Sequence, residues 1–113
     1  MSHAHQRRGR ALTFGHDRTL LETRGLLLEA DGYLSDLALD MQELQALITA
    51  GSWYDIVILC HTVSANERRA IQLILEDQPH PVPIYSMVTL VSPHEFVVEV
   101  SRLTGNKVIL GEE

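Results

Sequence analysis

The feature that most constrains the fold of this chain is a regular alternation of short apolar runs with longer amphipathic segments. The clearest run covers residues 56–59, where four apolar residues, mostly β-branched, stand in a row. Such a run is typical of a strand that is covered on both faces. Residues 11–15 and 33–38 predict two earlier strands, and residues 82–91 predict a fourth. The alternation predicts an α/β fold in three layers, with an open parallel sheet between helices.

Capping residues and glycines mark four helices between and after these strands. Asp17 is placed to cap the first helix, and Gly32 is placed to end it. Arg24 interrupts the apolar face of that helix. An N-cap residue followed three positions later by glutamate opens each of the other helices. These pairs are Asp40 and Glu43, Ser64 and Glu67, and Ser92 and Glu95.

The distribution of charge separates the start of the chain from the rest. Residues 1–10 contain three arginines and no acid, whereas the whole chain of 113 residues has a net charge of −6. We predict a flexible basic arm over residues 1–10 and one acidic domain over residues 11–113. An acidic domain disfavours nucleic acid as a partner, because phosphate contacts require clustered lysine and arginine.

The apolar runs and the single cysteine bear on the cellular compartment in which the chain functions. No apolar run in the sequence approaches the ~20 residues of a membrane span, so we expect no membrane partner. Cys60 is the one cysteine, which excludes an internal disulfide. A reducing, cytoplasmic compartment is the simplest interpretation.

Functional sites in open parallel sheets form beyond the carboxyl ends of the strands. The residues expected at those ends are Gly15, His16 and Asp17 after the first strand, Cys60 and His61 after the third, and Ser86 after the fourth.

Several stretches around these positions resemble receiver domains of two-component response regulators. Residues 13–22 lie where a receiver has its first strand, acidic pair and first helix. Residues 28–33 (LEADGY) resemble the end of that helix, and residues 51–60 (GSWYDIVILC) resemble the run that ends at the phosphorylated aspartate. The resemblance covers residues 11–87 well and residues 92–104 loosely. It implies a flavodoxin-like sheet with strand order 2-1-3-4-5.

The residues that a working receiver uses for phosphorylation are replaced in this chain. Gly15 and His16 occupy the place of the acidic pair that holds magnesium, and Asp17 lies one position late. Cys60 stands at the phosphoacceptor position, and Ser86 at the switch position. A receiver also has a lysine at the end of its fifth strand. This lysine has no counterpart here, because the single lysine, Lys107, lies after the last helix.

These replacements imply a degenerate receiver, or pseudo-receiver, that does not accept phosphate. Aspartyl phosphorylation needs a carboxylate nucleophile and a hard cation held by oxygen ligands. We therefore expect a signalling domain that is not an enzyme, needs no cofactor and acts through protein partners.

An alternative function is a redox- or metal-responsive sensor that uses Cys60 with His16 and His61. Zinc accepts cysteine and histidine ligands, and neighbouring strand ends bring such residues together. Cys60 and His61 are adjacent, however, so their side chains tend to diverge. A free cysteine at the end of a core strand is also more often a buried apolar residue than a ligand.

The segment after the fourth strand is too short for a complete receiver. Only five residues separate Ser86 from Ser92, whereas a parallel crossover needs about a dozen. Either residues 82–91 form one long strand and residues 108–110 form the fifth, or residues 88–91 are a remnant of the fifth strand. Both alternatives leave sheet surface uncovered, so we predict a homodimer or a stable partner at the fourth-strand and C-terminal region.

Overall fold

The computed structural model describes residues 9–51 and 53–106, in which strands and helices alternate along the chain. The elements are β1 (Gly9–Phe14), α1 (Arg18–Ala30), β2 (Tyr33–Ala38), α2 (Met41–Thr49), β3 (Ile56–Leu59), α3 (Ala65–Glu76), β4 (Ile84–Ser86) and α4 (Pro93–Thr104). The strands form one parallel sheet with the order β2-β1-β3-β4. This arrangement confirms the α/β fold and is compatible with a flavodoxin-like fold.

Helices cover both faces of the sheet. Successive residues of a strand point to opposite faces, so each strand contributes side chains to both cores. On one face, Leu12 and Phe14 of β1 belong to a core that also contains buried residues of α2 and α3. On the other face, Ala11 of β1 and Ile58 of β3 belong to a core shared with α4 and with Leu28 of α1. The all-apolar run of β3 is fully buried, as a strand covered on both faces requires.

The helices begin where the capping signals place them. Asp17 accepts a hydrogen bond from the Leu20 amide at 3.1 Å, and Ser64 and Ser92 each form a complete capping box. Asp40 also caps α2 through its side chain. The Glu43 carboxylate, however, accepts from the amide one residue before the cap, at 2.7 Å. None of the helices in the described part of the chain is long and apolar enough to span a membrane.

The sheet begins two residues earlier than the sequence predicts, so the last two residues of the predicted arm lie in β1. Gly9 approaches Asp55 so closely that a Cβ atom at this glycine would lie 2.8 Å from the carboxylate. The same carboxylate accepts from the Arg10 amide at 2.8 Å. The Arg10 side chain forms an ion pair with Asp36 of β2 at 3.1 Å. These contacts hold residues 9 and 10 in the sheet.

The fourth strand is much shorter than predicted. It covers only three residues, and residues 88–91 form neither an extension of β4 nor a remnant of a fifth strand. Pro81 and Pro83 delay the start of β4, because proline has no N–H to donate to the sheet. After Met87 the chain leaves the sheet toward the Ser92 cap of α4. The strand predicted over residues 108–110 lies outside the described residues.

Candidate functional site at the carboxyl edge of the sheet

The ends of β1 and β3 lie in direct contact, as the parallel sheet predicts. The Cys60 amide donates to the Phe14 carbonyl at 2.9 Å. A Cβ atom at Gly15 would lie 3.0 Å from the Cβ of Cys60 and 3.2 Å from Oγ1 of Thr62. Gly15 therefore packs tightly against the end of the neighbouring strand, and a larger residue at this position would require Cys60 or Thr62 to shift.

Cys60 is a buried thiol with only 1% of its surface exposed. Burial raises the pKa of the Cys60 thiol, and the nearby guanidinium groups of Arg24 and Arg68 oppose this effect. Because burial dominates, the neutral thiol is favoured over the reactive thiolate. This environment is that of a core residue.

His16 is exposed but fixed by three hydrogen bonds to other segments. Its amide donates to Oγ1 of Thr62 at 3.0 Å. Its Nδ1 lies 3.1 Å from the Leu39 carbonyl, and its Nε2 lies 3.0 Å from the Glu67 carboxylate. The hydrogen bond with Glu67 raises the pKa of His16, and the same bond lowers the pKa of Glu67. Both ring nitrogens are thus engaged in contacts within the protein.

Asp17, the acid nearest to the acidic-pair position, has a local structural role. Its carboxylate caps α1, and the residue itself is exposed. A side chain that satisfies a helix N-terminus is held there by that bond.

Arg68 joins the ends of β3 and β4 and was missed by the sequence analysis. Its Nε donates to the Val63 carbonyl at 3.1 Å. One terminal nitrogen donates to the carbonyls of Cys60 at 2.9 Å and Met87 at 2.6 Å. The other donates to the hydroxyl of Ser86. The sequence signals only the inward direction of this side chain, because Arg68 lies three residues before buried Ile71 and therefore near the inner face of α3.

Arg24 is a second cation that the fold encloses. Only 3% of its surface is exposed, and its guanidinium lies over the ring of Phe96 at 4.8 Å from the centroid. Its Nε has no hydrogen-bond partner among residues 9–51 and 53–106. Arg24 therefore does interrupt the apolar face of α1, because its charged side chain lies between α1 and α4. The acidic chain thus carries two guanidinium groups near Cys60.

The structure does not assemble the metal site considered from the sequence. Within the described ranges, no group of three or more His, Cys, Asp or Glu side chains is arranged to hold a metal ion. His61 is half-buried, and its Nδ1 has no hydrogen-bond partner among the described residues. Cys60 is enclosed and His16 faces Glu67, so neither observation favours the redox- or metal-sensor function.

The outer edge of β4 forms a second candidate surface. Val88 and Leu90 in the loop after β4 are 79% and 63% exposed. Tyr85 of β4 stacks on Phe96, with ring centroids 6.1 Å apart, and burial raises the pKa of Tyr85. Beside it, a groove of about 380 Å³ is lined by Tyr85, Val91, His94, Glu95, Val98 and Glu99.

The aromatic pair before β3 divides between core and surface. Tyr54 is buried, and its hydroxyl donates to Asp36 at 2.6 Å. Trp53 is 58% exposed and stacks on His80 at 3.5 Å between ring centroids. Of these two aromatic residues, Trp53 is therefore the one placed to contact a partner.

No protein-family model and no curated protein matches this chain.

Proposed function

We propose that this chain is a receiver-like signalling domain that does not accept phosphate and acts through protein contacts. The observation that carries this proposal is that the chain's own side chains occupy the carboxyl edge of the sheet. Buried Cys60 lies where the resemblance places the phosphoacceptor, and Arg68 spans from its carbonyl to the hydroxyl of Ser86.

The chemistry of the site supports the absence of aspartyl phosphorylation. That reaction requires a carboxylate nucleophile beside a hard cation with oxygen ligands. Cys60 supplies a neutral buried thiol, and Asp17 is held at the start of α1. The arginine side chains near Cys60 would also repel a divalent cation. The described residues around Cys60 therefore disfavour both the nucleophile and the cation that the reaction requires.

The contacts of Ser86 support a fixed rather than a switching role. A switch residue has to move when its partner changes, whereas the Ser86 hydroxyl is held by Arg68. The same guanidinium holds the carbonyls of Cys60 and Met87, so a movement of Ser86 would disturb the ends of both strands.

Incubation with acetyl phosphate and Mg²⁺ tests this part of the proposal. We expect the intact mass of the protein to remain unchanged, while a phosphorylatable receiver domain treated in parallel gains one phosphoryl group. A stable gain of one phosphoryl group by this chain would overturn the proposal, whichever residue carried it.

We further propose that the partner, a second copy of this chain in the simplest case, binds along β4, the edge strand of the sheet in the part of the chain that the structure describes. The Val57 amide donates to the Pro83 carbonyl, and the Met87 amide donates to the Leu59 carbonyl. In a parallel ladder alternate residues face each neighbour, so the backbone groups of Ile84 point away from β3. Within residues 9–51 and 53–106 no strand pairs with this side of β4. Free edge groups beside exposed apolar side chains favour strand-to-strand association.

Light scattering coupled to size-exclusion chromatography, at several protein concentrations, tests the β4 surface. We expect the wild-type chain to form dimers and Val88→Lys to shift the equilibrium toward monomers. Leu73→Lys is the matched control, because Leu73 is also largely exposed but lies on α3. A wild-type protein that stays monomeric, or equal effects of both variants, would overturn dimerisation through β4.

A further inference from the structure

The imidazole of His16 faces hydrogen-bond acceptors on both of its nitrogens. Nδ1 lies 3.1 Å from the carbonyl oxygen of Leu39, in the connection between β2 and α2. Nε2 lies 3.0 and 3.1 Å from the two carboxylate oxygens of Glu67 in the first turn of α3. A carbonyl and an ionised carboxylate accept hydrogen bonds but do not donate them.

This arrangement suits only the doubly protonated ring. An imidazolium donates from both nitrogens, whereas neutral imidazole donates from one and presents a lone pair at the other. We propose that His16 is a proton-operated latch that ties the β1–α1 and β2–α2 connections to the start of α3. The proposal concerns these connections and is independent of whether the chain accepts phosphate.

The charges around the ring favour the closed latch. Glu67 of α3 is the direct partner, and Asp40 at the start of α2 adds a second negative charge. Both act to raise the pKa of His16, whereas partial burial of the ring acts in the opposite direction. The neighbouring cation on α3, Arg68, is directed toward the ends of β3 and β4. On the histidine's own segment, Asp17 caps α1 and Arg18 pairs with Glu22.

Loss of the proton opens one side of the latch. If the neutral ring keeps its proton on Nε2, the bond to Glu67 remains and the lone pair of Nδ1 faces the Leu39 carbonyl. If the proton remains on Nδ1, the lone pair of Nε2 faces the carboxylate. In either case two acceptors face each other, which removes a contact between segments.

The remaining structure around the latch does not depend on this proton. Glu67 also accepts from the Ser64 amide at 2.9 Å, so the capping box continues to hold the start of α3. The His16 amide continues to donate to Thr62. Opening is therefore local, and it acts one residue away from Arg68, which joins β3 to β4.

An NMR titration of the full chain tests the latch, with the histidine ring carbons and the backbone amides followed together. We expect His16 to titrate at a higher pH in the folded protein than in the urea-unfolded protein. Glu67→Gln should move this midpoint down toward the unfolded value. Glu76→Gln removes the same charge from the other end of α3 and should leave the midpoint unchanged.

The backbone signals distinguish a latch from a histidine whose pKa is merely shifted. The amides of residues 39, 40 and 67 should change with the midpoint of the His16 ring in wild type, and with the lowered midpoint in Glu67→Gln. Two results would overturn the proposal: a His16 midpoint at or below the unfolded value, or a raised midpoint with no matching change in these amides.

Discussion

The guanidinium of Arg68 donates a hydrogen bond to the hydroxyl of Ser86 and so joins helix α3 to the end of β4. The same side chain donates to the backbone carbonyls of Cys60, Val63 and Met87. All four acceptors are neutral. Arg68 therefore acts as a structural bridge across the carboxyl edge of the sheet, and it contacts the two residues, Cys60 and Ser86, that the resemblance places at the phosphoacceptor and switch positions.

Replacing Arg68 with methionine should destabilise the fold by about 2–3 kcal/mol, because carbonyls lose a charged donor. Lysine should restore little, since a single ammonium cannot reproduce the planar fork of a guanidinium. Urea unfolding measures the change. Arg69→Met is the control, because Arg69 is the exposed neighbour on the same helix. Equal stabilities of the two methionine variants would show that the bridge contributes nothing.

Replacing Arg24 with methionine should stabilise the protein by about 1–2 kcal/mol. Burying a charged guanidinium whose Nε has no hydrogen-bond partner among the described residues is unfavourable, and methionine keeps the length and apolar packing of the side chain. The lost contact with the Phe96 ring offsets part of this gain. Thermal unfolding of Arg24→Met beside Arg18→Met, an exposed position on α1, measures the effect. A clear loss of stability in Arg24→Met would contradict this account of Arg24.

The pair of His16 and Glu67 should make stability depend on pH in two opposite ways. The pKa of His16 is raised on folding, so its contribution is complete below the unfolded value of about 6.5 and is lost as pH rises through the folded value. The pKa of Glu67 is lowered, so its contribution is lost as pH falls through the folded value.

The difference in stability between wild type and Glu67→Gln should therefore be largest between these two pKa values. Denaturant unfolding at a series of pH values measures it. Since both side chains are partly solvated, the difference should also decrease at high salt. A difference that is constant from acidic to alkaline pH would exclude the ion pair as its source.

The thiol of Cys60 should react slowly with a thiol reagent in the native protein and rapidly in urea. Its burial and raised pKa disfavour the exposed thiolate that such reactions require. The native rate should rise with denaturant in parallel with unfolding. Fast native labelling would instead favour the redox-sensor alternative.

Local sequence patterns determined the helices, the buried third strand and the α/β class. A capping box such as Ser64 with Glu67 involves residues three positions apart, so its geometry is independent of the rest of the chain. The contact of Gly15 with Cys60 was also predictable, because parallel strands place their carboxyl ends at one edge. The length of β4 was not predictable, because the apolar residues Val88 and Leu90 read as strand although they lie outside the sheet.

The tertiary structure alone decided what the polar residues of the carboxyl edge do. Glu67 meets His16 across 51 positions of sequence, and Arg68 meets Ser86 across 18. Neither pair has a signature in the order of residues. Hydrogen bonds between distant segments depend on how the helices lie over the sheet. That arrangement follows from burying both faces of β1 and β3, whereas the identity of a charged residue's partner follows only from the finished packing.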